Sequence, residues 1–235
     1  MIRALLPGRA TGADAFGDAP EGVLLPAEEA VVADVAAGRR REFATVRHCA
    51  RRALRELGGS GRPAAPVALL PDGDGVPRWP AGVVGSLTHT RGYRAAAVAL
   101  AADVARLGID AEPDRPLRAG VLETIALPAE RAALPGPSGA GVCWDRLLFC
   151  AKEAAYKAWF PQARVRLGFR DVEVAFCGPP ADGRFRARIR HGSEELLGGR
   201  WAAGNGLLLA VVAVPARHVT GGPGRGPAGG HLAGA

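Results

Sequence analysis

Two amphipathic stretches, each followed by strand-like runs, constrain this chain more than any other feature. In residues 39–57, RRREFATVRHCARRALREL, the residues Phe43, Val46, Ala50, Leu54 and Leu57 mark one helical stripe. Arginine covers much of the remaining surface, and Gly58, Gly59 and Gly61 end the pattern. Residues 145–160, DRLLFCAKEAAYKAWF, form the second helix, which Pro161 is expected to stop. Strand-like runs follow the first helix at 83–89, 93–100 and 105–112, with Thr90-Arg91-Gly92 as a hairpin turn. After the second helix come 171–177, 184–190 and 206–214. One long helix and about three strands, twice over, predict an α+β fold. The expected division is 1–107 and 108–215, without clear identity between the halves. Residues 60–81 and 135–141 read as loops, and 27–37 as a short helix. The Gly-, Pro- and Ala-rich segment 216–235 reads as a disordered tail.

Hydrophobic residues make up 48% of the 235 positions and charged residues 23%, enough for a substantial core. The net charge of +7 fits either a generic Arg-rich solvated surface or a polyanionic partner: nucleic acid, a phosphorylated cofactor or an acidic protein. The four cysteines contain no C-x-x-C pair, which argues against a disulfide framework. MIRALLPGR is too short for a signal peptide. The apolar runs at 95–102 and 207–214 fall short of the roughly 20 residues that span a bilayer. The expectation is a soluble, cytoplasmic protein with no membrane partner.

Lysine is rare. Lys and Arg total 30, yet Lys152 and Lys157 are the only lysines. Both fall in the second helix. At about 100° per residue, Leu147, Leu148, Cys150, Ala151, Ala154, Ala155, Ala158 and Trp159 occupy one side. Lys152, Glu153, Tyr156 and Lys157 take the other, with Phe149 and Phe160. A solvated face with a Glu153–Lys157 pair is one reading. The other is a covered site, because aromatic residues on a polar face ask for a cover and a compact ammonium can approach a phosphate.

Two strand ends carry further chemistry. In GIDAE, 108–112, Asp110 and Glu112 project to the same side of an extended chain. They are either a solvated strand end or, joined by Glu153, oxygen ligands suited to Mg²⁺. In GSLTHT, 85–90, Thr88 and His89 close a strand, where a hydroxyl, an imidazole and backbone N–H groups could bind phosphate. The other histidines have no zinc-like spacing.

In order, G-S-L-T-H, G-I-D-A-E and F-C-A-K-E-A-A-Y-K resemble the motifs of the 4'-phosphopantetheinyl transferases of the surfactin and enterobactin type. With the Arg-rich helix, the resemblance covers residues 39–160. It implies two similar α+β halves related by a pseudo-two-fold, with coenzyme A between them. Asp110, Glu112 and Glu153 would hold Mg²⁺, and Lys157 would neutralise the pyrophosphate. Lys152, His89 and Thr88 would contact coenzyme A phosphates. Arg40 and Arg47 would take the nucleotide 3'-phosphate, and Arg78 would assist.

The sequence departs from the family pattern at four places. Phe149 replaces a Trp, Phe160 a Gly and Thr88 a Ser, and Gly75-Val76-Pro77 lacks a central lysine. The implied reaction moves phosphopantetheine from coenzyme A to a serine of an apo acyl or peptidyl carrier protein, releasing adenosine 3',5'-bisphosphate. Glu153 or a metal-bound water would accept the serine proton. The family also implies a monomer that binds no nucleic acid. Two rivals fit the charges alone: a Mg²⁺-dependent nuclease, and an Arg-rich nucleic-acid-binding protein.

Overall fold

The computed structural model describes residues 1–20, 23–59, 66–136, 141–178, 183–192 and 194–216. The tail expected to be disordered lies almost wholly outside the described residues, as do 60–65 of the first loop and 137–140 of the second. Among the described residues, eight strands form two antiparallel sheets. The first contains β1 (Ala10–Ala15), β2 (Val83–Thr90) and β3 (Tyr93–Leu100), in the order β1-β3-β2. The second contains β4 (Val104–Pro113), β5 (Val172–Cys177), β6 (Arg184–Ile189), β7 (Glu195–Gly204) and β8 (Leu207–Pro215), in the order β4-β8-β7-β6-β5. The helices are α1 (Pro26–Val31), α2 (Ala37–Leu57), α3 (Val121–Ile125), α4 (Pro128–Ala133) and α5 (Trp144–Ala163). The architecture is α+β, as expected.

Alternation along the strands produces four layers: helix, sheet, sheet, helix. On β3, Ala96 and Val98 pack toward Cys49, Ala50 and Ala53 of α2. The alternate residues Ala95, Ala97 and Ala99 turn the other way, onto Leu107, Ile109 and Ala111 of β4 and Leu209 and Val211 of β8. The opposite face of β8, through Leu208, Ala210 and Val212, meets α5. Small residues dominate where the layers meet, so the backbones lie close. Gly108 makes the closest approach. A Cβ there would sit 2.1 Å from the Ala154 carbonyl oxygen and 2.4 Å from the Ala158 nitrogen. That glycine lets α5 lie directly on β4.

Beside this face-to-face packing, the edge strands β2 and β4 of the two sheets meet without sharing a backbone ladder. The Ser86 hydroxyl of β2 accepts the Ile109 N–H at 3.0 Å, and the Thr88 hydroxyl accepts the Ala111 N–H at 3.0 Å. Two side chains thus satisfy buried backbone donors that an edge strand would otherwise leave unpaired.

One corner occurs twice. Leu25-Pro26-Ala27-Glu28 opens α1 and Leu127-Pro128-Ala129-Glu130 opens α4. In each, proline starts the helix and the glutamate reaches back to the leucine N–H, at 3.0 and 2.7 Å. Each glutamate also accepts a cation of the following long helix: Arg51 for Glu28, Lys152 for Glu130. Each takes one more backbone N–H, from Leu69 at 2.9 Å or Val174 at 2.6 Å. The match was missed in the sequence, where the halves look unrelated. The sheets served by the two corners differ, with three strands against five.

The expected border at 107/108 falls within β4, which runs to Pro113 in the second sheet. Other expectations need correction. Helix α5 passes Pro161 and ends at Ala163, with Arg164 as a left-handed cap at φ 55°. A proline so near the end sacrifices one intrahelical bond and no more. The expected helix at 27–37 is one short helix, after which α2 begins. Strands β1 and β7 were not foreseen.

Candidate functional site

A groove of about 590 Å³ runs between α2 and the 71–77 loop, the end of β2, and α5. Its walls include Arg39, Phe43 and Arg47 from α2, Thr88 and His89 from β2, and Tyr156, Lys157 and Phe160 from α5. The two helices arrive there because each packs its small-residue face on its own sheet, leaving aromatic and cationic side chains to look across.

Lys157 lines the groove and reaches behind it to Asp110. Lys157 Nζ donates to Asp110 Oδ1 at 2.6 Å. Burial pulls the Lys157 pKa down, but the Asp110 charge and hydrogen bond outweigh it and raise the value above that of an ordinary lysine. The Thr88 hydroxyl donates to the same Asp110 oxygen at 3.1 Å. Asp110 Oδ2 is buried and has no hydrogen-bond partner among the described residues. An orphaned carboxylate oxygen in such surroundings asks for a cation or a donor.

The neighbouring acids share that field. Burial raises the Glu112 pKa, and the Asp110 charge adds to the rise while Arg146 opposes it. Arg146 NH1 donates to Glu112 Oε2 at 3.0 Å. Burial likewise raises Glu153, with Lys157 lowering and Asp110 raising its pKa. The three carboxylates therefore sense one another, in pairs, through Asp110. They are not drawn into a closed cluster: among the described residues, no group of three or more His, Cys, Asp or Glu is gathered as a metal site. Asp110 turns to Lys157 and Glu112 to Arg146. The donor set is all oxygen, and the orphaned Asp110 oxygen fits a hard divalent ion.

Other expected residues separate into two groups. Arg47 and His89 line the groove. Arg47 lies 3.4 Å over the Phe43 ring and donates to the Leu69 carbonyl at 3.2 Å. Burial lowers its pKa to about 10, partly offset by Glu28. Arg40, expected beside it, instead pairs with Glu29 and does not line the groove. Arg39 takes that place. The i, i+4, i+8 spacing of Arg39, Phe43 and Arg47 was legible in the sequence and would have identified it. Arg78 lines an adjacent pocket of about 370 Å³ with Trp79 and Arg164. From that stretch, Gly75, Val76 and Pro77 reach the groove.

Lys152 is the largest correction. The helical wheel put it beside Lys157, but it is 1% exposed. Its ammonium donates to the Ile125 carbonyl at 2.9 Å, the Glu130 carboxylate at 2.7 Å and the Phe169 carbonyl at 2.9 Å. All three protons are used, so none is left for a phosphate. Thr88 is corrected in the same way. Its single proton goes to Asp110 and its oxygen accepts Ala111 N–H, so it holds the carboxylate rather than donating to a ligand. Of the three aromatic residues on that face, Phe149 packs on Phe169 away from the groove. Tyr156 and Phe160 stack with centroids 5.1 Å apart and both line the groove.

A model of the 4'-phosphopantetheinyl transferase N-terminal domain matches residues 27–99, and one of the 4'-phosphopantetheinyl transferase superfamily matches 106–203. The 4'-phosphopantetheinyl transferase Svp of Streptomyces mobaraensis is 49% identical over 228 residues, covering 92% of this chain and 90% of that protein. PptT of Mycobacterium tuberculosis, named for the same activity, is 46% identical over 85% of this chain and 90% of its own. Npt of Nocardia iowensis, also so named, is 42% identical over 91% of this chain and 99% of its own. With both parts of the chain matched and these relatives aligned nearly end to end, the chain belongs to the 4'-phosphopantetheinyl transferase family.

Proposed function

We propose that the chain transfers the 4'-phosphopantetheine arm of coenzyme A to a serine of an apo carrier protein, releasing adenosine 3',5'-bisphosphate. The observation that carries this reading is the Lys157–Asp110 pair at 2.6 Å, set in a groove whose other wall presents Arg39 and Arg47. Cations stand on both sides of the groove, and Lys157 links it to Asp110.

Each residue then has a task. Arg39, Arg47 and His89 bind the anionic end of coenzyme A. Lys157 sits beside the pyrophosphate and stabilises charge on the leaving phosphate. Asp110, Glu112 and Glu153 would hold Mg²⁺, whose chemistry when bound is neutralisation of the diphosphate. Glu153, with a pKa raised by burial, is suited to accept the serine proton. Thr88 fixes Asp110. The net charge of +7 suits an acidic partner and predicts weaker docking at higher salt.

The test is incubation with coenzyme A, Mg²⁺ and a panel of apo carrier proteins, read by intact mass. A gain of one phosphopantetheine unit is expected. No shift on any carrier would defeat the proposal, and nicked DNA in its place would favour a nuclease. Lys157→Arg should lower turnover at least tenfold with an unchanged circular dichroism spectrum, because the planar guanidinium cannot take the position of a compact ammonium. Full turnover in that variant would remove Lys157 from the role.

A further inference from the structure

At the mouth of the groove, one carboxylate faces three cations or near-cations. Arg39 NH1 donates to Glu42 Oε2 at 3.2 Å, and His89 Nδ1 lies 3.6 Å from the same oxygen. Arg94 NH2 is 3.8 Å from Glu42 Oε1 and 3.1 Å from Asp18. Glu42 sits one turn after Arg39 on α2, while His89 and Arg94 are cross-strand partners on β2 and β3. The carboxylate therefore ties the helix to the hairpin at the point where the groove opens.

Arg39 NH1 lies closest to His89 Nε2 and is 3.5 Å from Nδ1. A guanidinium can only donate. The closer contact assigns Nε2 as the acceptor, which puts the proton of the neutral ring on Nδ1, the nitrogen that faces Glu42. The groups facing the imidazole are Arg39 and Glu42 of α2, Arg94 of β3 and Lys157 of α5. Burial lowers the His89 pKa, and three of those four neighbours are cationic, with Glu42 alone opposing. An anion entering the groove would draw Arg39 to itself, free Nε2 and favour a proton there. The resulting imidazolium would donate to the anion through Nε2 and face Glu42 through Nδ1.

We propose that Glu42 is a positioning residue that orients His89 and Arg39 toward an entering phosphate and couples binding of that phosphate to uptake of one proton by His89. This rests on the groove being a nucleotide site, and the experiment keeps the two ideas apart. Adenosine 3',5'-bisphosphate is titrated calorimetrically into the full-length protein between pH 6 and 9, in buffers of differing ionisation enthalpy. A phosphate monoester also titrates near pH 6, so His89→Asn supplies the background of the ligand itself. Wild type should take up close to one proton more than His89→Asn. Its affinity should fall about tenfold for each pH unit between the free and bound His89 values, as one-proton linkage requires. Glu42→Gln should lose that excess uptake and bind several-fold more weakly at a temperature where it remains folded. An excess equal to wild type in Glu42→Gln, or no excess in wild type, overturns the inference. No binding by wild type would instead overturn the nucleotide site. The wild-type measurement needs no variant to fold, and rescue of the uptake by Glu42→Asp would further separate positioning from bulk stability.

Discussion

The two lysines, five residues apart on one helix, do opposite work. Lys157 sits 31% exposed at the groove, and Lys152 is sealed under α4. A wheel cannot separate them, because it knows direction around one axis and nothing of the short helix that covers part of the polar face. What an ammonium offers at position 152 is three donors from one point, matched by three acceptors. Its pKa is lowered by burial, against the pull of Glu130. Replacing it with methionine would leave Glu130 charged and without its cation in a 4% exposed position. Breaking one side of a buried pair costs about 3–5 kcal/mol. Lys152→Met should therefore lose stability of that order in urea unfolding. At a temperature where the variant remains folded, coenzyme A affinity should be close to wild type. A large loss of affinity in folded protein would return Lys152 to the groove.

Elements with strong periodicity or a continuous apolar run were readable, and two glycine-containing strands were not. Helices α2 and α5 and strands β2, β3, β4, β5, β6 and β8 lie within a few residues of their expected places. Strand β1 is ATGADA, with no β-branched pattern, and pairs with β3 only because Ala96 and Val98 need a shared layer under α2. Strand β7 was missed although Asn205-Gly206, both at positive φ, form the two-residue turn into β8. At the site, Asp110, Glu112 and Glu153 were legible as a motif, but their present partners, Arg146 and Thr88, depend on tertiary neighbours. Gly108 links motif to fold. Adding a methyl there drives into the α5 backbone rather than a movable side chain. Overpacking of this kind costs about 1–3 kcal/mol. It would also lift Lys157 from Asp110. Gly108→Ala should thus lose both urea stability and turnover. Stability lost with turnover intact would mean that the close approach serves packing alone.

At the scale of the molecule, the groove exists because two sheets abut without merging. On the β3 side the apolar layer between them is alanine at 95, 97 and 99, so that strand supplies burial with little interlocking shape. Registration therefore falls to the polar stitches, Ser86 on Ile109 N–H and Thr88 on Ala111 N–H. Thr88 has a second duty, since its proton goes to Asp110. Removing a hydroxyl leaves a buried N–H unsatisfied, at about 1–3 kcal/mol. Ser86→Ala and Thr88→Val should each destabilise by that amount, and by similar amounts if stitching were their only role. They should differ in function. Ser86→Ala leaves Asp110 untouched and should reduce turnover only slightly. Thr88→Val frees Asp110 Oδ1 from its hydroxyl and should reduce turnover at least tenfold. Urea midpoints together with steady-state kinetics on one apo carrier separate these effects. Equal kinetic losses in the two variants would mean that the junction of the sheets, and not the hold on Asp110, is what catalysis needs from β2.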